Sequence, residues 1–220
     1  MITPPVDLKP SDYYDLQPAA AKILLLACGA LAREIIDVIT ANSWNGFAIQ
    51  CLPAKWHNTP QFIVPALREK IRANRGRYKK IFVLYGDCGT GGQLDTLLRE
   101  EGVERIAGPH CYAFFSGNDQ FAANADADMT SFYLTDYLAR HFDKLIWQGL
   151  ALDTHPELRD DYFSNYTKLI YLAQVEDAAL KSAAQGAASK LGLEFEYRFT
   201  GYGELKIDIE KLATQVASTA

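Results

Sequence analysis

The chain has 220 residues, 49% apolar and 22% charged, with a net charge of −5. That is enough chain for a globular core, and it excludes a basic nucleic-acid surface or attraction to an anionic membrane. No apolar run approaches the roughly 20 residues of a membrane span. The N-terminus has no basic segment leading into an apolar one, so it does not read as a signal peptide. The cytoplasm is the expected compartment, and there Cys28, Cys51, Cys88 and Cys111 are expected as free thiols rather than disulfides.

Residues 1–20 carry Pro4, Pro5, Pro10 and Pro18 and read as an extended arm, lying on the surface or on a partner subunit as part of a homo-oligomer. A single α/β domain is expected over 21–205, divisible into β–α halves at 21–117 and 130–205. A helical tail follows at 206–220. The first strand is the apolar run Ile23-Leu24-Leu25-Leu26-Ala27, ended by Cys28-Gly29. Leu31, Ile35, Val38 and Ile39 then recur at helical spacing. A second strand spans 47–52 and includes Cys51. After a loop with His57, Thr59-Pro60 predicts a capped helix over 60–74.

The third strand, Ile81 to Tyr85, breaks into Gly86, Gly89, Gly91 and Gly92, and the leucines at 94, 97 and 98 predict the next helix. A fourth strand is expected over 103–107, ending at Gly108-Pro109-His110-Cys111 and followed by an apolar helical turn. Residues 118–128 read as a surface connection. A short strand is expected at 131–134, a helix from Thr135 through Trp147, and another over 156–166. A last β–α–β unit takes strand 168–173, an alanine-rich helix 177–191 ended by Gly192, and strand 193–199. Strands alternating with helices predict an α/β protein with a mostly parallel, doubly wound (Rossmann-like) sheet and helices on both faces.

In such a sheet ligands sit beyond the carboxyl ends of the strands. Cys28, Cys88 and Cys111 all fall at or just after strand ends, with His57 in the loop after the second strand. Thiolate and imidazole ligands suit zinc, and three thiolates at one edge also suit an iron–sulfur cluster with one open iron. Each lone cysteine also has a plain reading as a small buried apolar residue, which is the main expectation for Cys51. Adjacent residues point apart, so one of His110 and Cys111 is expected in a shared site. Glu34, one turn into the first helix, is a candidate general base or a surface residue. Gly86, Gly89 and Gly91 form a loop whose amides suit an anion or cofactor phosphate, although it has neither G-x-x-x-x-G-K-[ST] nor G-x-G-x-x-G. Tyr202, between two glycines, reads as a turn or a pocket cover.

Several short motifs occur in order. They are Cys28 with Ala30-Leu31 and Glu34, Leu52-Pro53 with His57-Asn58 and Pro60, Tyr85-Gly86 with Cys88-Gly89, His110-Cys111 with Ser116-Gly117, and Asn165-Tyr166-Thr167. With them the chain resembles a bacterial and archaeal domain-of-unknown-function family found near genes for corrinoid-dependent methylamine methyltransferases. The family pattern implies an acidic residue between His and Cys, where this chain runs His110-Cys111 directly. The resemblance implies one-carbon metabolism and a small-molecule substrate or a corrinoid protein as partner. Two expectations then stand. One is a metal-dependent methyltransferase in which Cys28, Cys88, Cys111 and His57 hold zinc. The other is a non-enzymatic accessory protein for a metal or corrinoid, or a regulator that binds an anion or nucleotide through the glycine loop.

Overall fold

The structure is a computed structural model that describes residue 9 and residues 11–217. The arm prolines Pro4, Pro5 and Pro10 and the last residues of the tail lie outside them. The chain forms two compact units, one from residues 1–114 with 204–220 and one from 115–203. The C-terminal helix therefore belongs to the first unit rather than standing as a separate tail.

In the first unit, β1 (Tyr14–Leu16), β2 (Ile23–Cys28), β3 (Phe47–Leu52), β4 (Lys80–Leu84) and β5 (Glu104–Arg105) form one sheet in the order β1-β3-β2-β4-β5. All pairings are parallel except β1 on β3, where Tyr14 faces Cys51. Part of the expected arm is thus an edge strand of the chain's own sheet. β5 is shorter than the expected 103–107, and Ile106 beyond it is buried.

The crossovers are α1 (Ala32–Ala41), α2 (Ile63–Asn74) and α3 (Gln93–Glu101). One sheet face presents Leu24, Leu26, Ala48, Leu52, Val83 and Tyr85, which pack with Ile63, Leu67 and Ile71 of α2 and Leu94, Leu97 and Leu98 of α3. The alternate row, with Leu25, Ile49 and Leu84, is equally buried, as are Ile35, Ile36 and Ile39 of α1. A strand covered on both faces needs such continuous apolar runs. The expected cap at Thr59 is absent, because its side chain makes no capping bond and Pro60–Phe62 forms a 3₁₀ turn ahead of α2. Three arginines instead anchor α2 to α3. Arg72 Nε and Arg75 Nη2 donate to Glu101 at 2.8 and 2.7 Å, and Arg68 lies 3.4 Å from it. These guanidinium groups thus converge on one buried carboxylate.

Chain order fixes a crevice in this sheet. From β2 the chain moves outward to β3, then crosses back over β2 to β4 and continues outward to β5. The winding direction reverses between β2 and β4, and ligands in doubly wound sheets sit beyond the strands' carboxyl ends at such a point.

The end of the first unit and the start of the second share the short helix α4 (Cys111–Ser116), followed by α5 (Asn118–Ala123). The second unit has a parallel three-stranded sheet, β6 (Ser131–Leu134), β7 (Lys168–Ala173) and β8 (Glu194–Phe199), in that order. The helix expected from Thr135 through Trp147 is divided into α6 (Asp136–Arg140) and a π-helical stretch, Asp143–Trp147. Thr135 does cap α6, accepting from Leu138 N at 3.4 Å. Next come α7 (Leu158–Phe163) and α8 (Ala178–Leu191). Asp177 caps α8 through the amides of Ala179 and Leu180, and Gly192, at φ 76°, ends it in a left-handed turn. The last helix, α9 (Gly203–Ala217), buries Leu205, Ile209 and Leu212 along one stripe.

The expected surface connection at 118–128 ends in a buried charge. Asp128 accepts from Arg198 Nη2 at 2.9 Å and from the Tyr133 hydroxyl at 3.0 Å, with Lys168 Nζ 3.0 Å away. Asp136 is also buried. It accepts from the Tyr171 hydroxyl at 2.7 Å and from the amides of Gln174 and Val175. The protein is an α/β fold with a mixed sheet and a parallel sheet. Among the described residues no helix is long and apolar enough to cross a membrane.

Candidate functional site

Two glycines draw the loops together at the carboxyl edge of the first sheet. Gly29, after β2, approaches the loop after β3 so closely that a β-carbon would stand 2.9 Å from Leu52 O and 3.3 Å from Ala54 N. Gly86, after β4, lies against 109–110, where a β-carbon would stand 2.7 Å from Pro109 O and 2.9 Å from His110 Cα. The amide of Asp87 donates to Pro109 O at 2.9 Å. Arg105 fixes the same loop. It grips Asp95 of α3 at 2.6 and 3.1 Å and donates to the carbonyls of Ile106 and Gly108, each at 2.9 Å. Only a forked guanidinium offers donors in that arrangement.

These restraints gather three thiols from separate segments. Cys28 closes β2, and its sheet face also carries Tyr85, just beyond β4. Cys88 belongs to the same buried cluster. Cys111 opens α4, and its thiol is close enough to Cys88, Cys28 and Glu34 for their charges to disfavour its own ionisation. Glu34 is almost wholly buried on the first turn of α1, not a surface residue, and it also influences Cys28. Cys51 is fully buried within β3, in the row opposite Cys28, as a core thiol would be.

Burial raises the pKa of every thiol in this group. For Cys28 the amide of Ala30 and the Tyr85 hydroxyl partly offset it. Cys88 is pushed up to about 12, by burial first and then by the charge of Cys28, with the Gly86 amide acting the other way. Cys111 lies well above an ordinary thiol. Without a cation these sulfurs are neutral thiols. A bound metal reverses that preference, because its charge keeps a coordinated thiol deprotonated.

Cys88 has φ 48°, the left-handed region, with no glycine to relax it. Such backbone costs about 1–3 kcal/mol and clusters at ligand sites. The strain sits beside a helix start that is internally satisfied. Asp87 accepts from the Thr90 hydroxyl at 2.7 Å and from the amides of Gly92 and Gly91 at 2.8 and 3.1 Å. Burial raises the Asp87 pKa, but those donors outweigh it and hold the carboxylate below its usual range. An anion at the expected Gly86, Gly89 and Gly91 cradle would have to displace this carboxylate from the Gly91 amide. Gly86 serves the close approach to Pro109, and a β-carbon on Gly89 would reach Pro60 at 3.4 Å.

His57 lies in the 3₁₀ turn Ala54–Asn58 after β3. Atoms crowding its ring lower its pKa, and the charge of His110 adds to this. The two histidines are thus neighbours, and both are exposed residues. Beside His57, Trp56 packs against Tyr13 and Phe62 with ring centroids 5.8 and 5.9 Å apart. Among the described residues no three His, Cys, Asp or Glu side chains are grouped in a way that would hold a metal ion. The three thiols are near enough to influence one another's charge but do not stand at ligand spacing.

Beyond the expected site residues, the structure adds Asp87 and gives Tyr85, so far only part of a motif, a place beside Cys28. Tyr85 is the polar end of an otherwise apolar strand, and Asp87 precedes a Gly-rich turn three residues before Thr90, both of which are readable signals.

A search of curated proteins finds no match. Ornithine carbamoyltransferase from Pyrococcus furiosus is a solved structure with 13% identity to this chain, over 81% of this chain and 54% of that one, at a TM-score of 0.25. The chain thus spans about half the length of that enzyme, and a likeness at this level says nothing about chemistry. Residues 51–207, well over half of the chain, match a family that includes Cys88, Cys111 and His57 within its span, and the protein belongs to that family, described as "Protein of unknown function (DUF1638)".

Proposed function

We propose that the first unit is a thiolate–metal protein of one-carbon metabolism, in which Cys28, Cys88 and Cys111 close on one zinc ion. The observation that carries this reading is the convergence of three thiols from three segments at the reversal between β2 and β4, with Cys88 held in strained backbone. Zinc takes thiolate sulfur at about 2.3 Å in tetrahedral sites, and a catalytic site keeps one position open. His57 either takes that position or stands at its mouth. Glu34 is the base beside it, buried among the thiols.

A metal-activated thiol is a methyl acceptor, because coordination keeps it a nucleophilic thiolate near neutral pH. The gene neighbourhood implied by the motif resemblance makes a one-carbon unit, presented by a small molecule or a corrinoid protein, the substrate class. Reduced thiols require a reducing compartment, so the cytoplasm belongs to the same proposal. An accessory protein that holds a metal or corrinoid without turnover would use the same ligands, and so would an iron–sulfur cluster, since amides near sulfur also tune clusters.

Elemental analysis and an absorption spectrum of protein purified without air test the reading. One zinc per chain and no visible absorption are expected. Iron with a broad visible band would assign a cluster instead. Protein that holds no metal, even after reconstitution, would return the thiols to the core.

A further inference from the structure

The turn that joins α1 to β3 holds two asparagines, Asn42 and Asn45, in different surroundings. The Asn42 side-chain amide donates to Val38 O at 2.8 Å, and the backbone amide of Ser43 after it donates to Thr40 O at 3.1 Å. The amide of Trp44 is tied as well, to Ile39 O at 3.1 Å. The free carbonyls of the helix end thus take up the donors of this half of the turn. Asn45 is exposed, and Gly46 follows it. Among the described residues, neither the Asn45 side chain nor the Gly46 amide nitrogen has a hydrogen-bond partner. Only the Gly46 carbonyl is held, by the amides of Lys22 and Ile23 at 2.9 and 3.1 Å, where β2 begins.

An asparagine side chain is open to attack by the backbone nitrogen of the next residue, which makes it a thermolabile group. That nitrogen bonds to the side-chain carbonyl carbon, ammonia leaves, and a cyclic imide forms. Water then opens the imide at either carbonyl, giving aspartate or isoaspartate. Hydrogen bonds on the side-chain amide or on the attacking N–H oppose ring closure, and so does a β-carbon on the following residue, which glycine lacks. Asn42 with Ser43 meets all three obstacles, and Asn45 with Gly46 meets none. We propose that Asn45 is a self-modification site, where Asn45-Gly46 converts through the imide to isoaspartate and aspartate while Asn42 in the same turn is held back. Water is the only co-reactant, and the inference is independent of the thiolate–metal reading. The product adds one negative charge to a chain of net −5. Isoaspartate also lengthens the backbone by a methylene directly before Phe47, the first residue of β3. The change falls at the amino edge of the sheet, at the opposite end of the strands from the thiols.

The test is incubation of the full chain in mildly alkaline buffer, folded and in guanidinium chloride. Ion exchange then separates the acidic form, and mass spectrometry with peptide fragmentation and enzymatic detection of isoaspartate locates the change. Folded protein is expected to lose the Asn45 amide at a rate comparable to the unfolded sample, with isoaspartate as the main product and Asn42 intact. In guanidinium chloride Asn42 loses its hydrogen bonds and begins to convert. Asn45→Gln keeps an amide at a chain length that closes the ring far less readily, and it is expected to abolish the acidic form of the folded protein. Folded protein that keeps Asn45 intact while the unfolded sample converts would overturn the proposal, because the fold would then hold the turn away from ring closure. Equal conversion of Asn42 and Asn45 in folded protein would overturn it too, as would an acidic form that persists unchanged in Asn45→Gln.

Discussion

A β-carbon on Gly86 would stand 2.7 Å from the carbonyl oxygen of Pro109. That approach brings the end of β4 and the loop before α4 into contact, so the spacing between Cys88 and Cys111 depends on a missing side chain. Gly86→Ala is expected to destabilise the protein by about 1–3 kcal/mol, because the obstruction is backbone and cannot rotate away. Gly91→Ala meets no neighbour, and its cost comes from φ 61° alone. Urea unfolding of both variants checks this, with Gly86→Ala as the less stable.

Cys88 carries a β-carbon at φ 48°. Cys88→Gly and Cys88→Ala both remove the sulfur, but only glycine removes the left-handed penalty of about 1 kcal/mol. Cys88→Gly is therefore expected to unfold at higher denaturant than Cys88→Ala, although glycine is usually the more destabilising residue. The reverse order would mean that the loop is not strained at this position.

Arg105 holds Asp95 and two loop carbonyls with one guanidinium. Arg105→Lys keeps the charge and loses the fork. The expected result is a weaker site with an unfolding midpoint lowered by only about 2–4 °C. Metal or thiol-reagent titration should show Cys111 more accessible, while global stability falls by about 1 kcal/mol, the worth of an ordinary hydrogen bond.

The second unit should be acid-sensitive through Asp128, whose side chain is 3% exposed. Arg198 beside it, with help from Lys168 and Tyr133, holds its carboxyl well below the usual carboxylate range against the cost of burial. The folded pKa lies below the unfolded one, so the stabilisation is complete above the unfolded value of about 3.9. It is lost as pH falls from there toward the folded value. Asp128→Asn is expected to cost about 3 kcal/mol near neutral pH, the lower end for breaking a buried pair, since Arg198 keeps Glu196. Below the folded pKa wild type and variant should converge. Thermal melts from pH 7 to acid would show a shrinking gap, and a constant gap would contradict the assignment.

Much of the first unit was legible in the apolar runs. Ile23 to Ala27 and Ile81 to Leu84 are continuous because both faces are covered, and their ends mark the crevice. The expected strand at 103–107 shrank because β5 is an edge with one partner, β4. The helix expected through Trp147 divides near His141, a change in turn geometry that amphipathic spacing does not encode. The sequence places Asp128 in a polar surface connection because its partners, Lys168 and Arg198, are distant in sequence and meet it only once β7 and β8 are in place. The thiols could be named from strand ends alone. That Cys28 faces Tyr85 follows from the register of β2 on β4, and that Asp87 fills the glycine-loop amides follows from a turn conformation. Neither is visible in residue spacing.

Metal stoichiometry decides the central claim most directly. The account predicts that wild-type protein, reduced and titrated with Co²⁺ without air, binds one ion per chain with a thiolate charge-transfer band. The band should weaken in each of Cys28→Ser, Cys88→Ser and Cys111→Ser but persist in Cys51→Ser. Binding should tighten as pH rises, because each neutral thiol gives up a proton on coordination. A folded wild-type protein with no band, or a band equally lost in Cys51→Ser, would contradict a metal centre at the β2–β4 crevice.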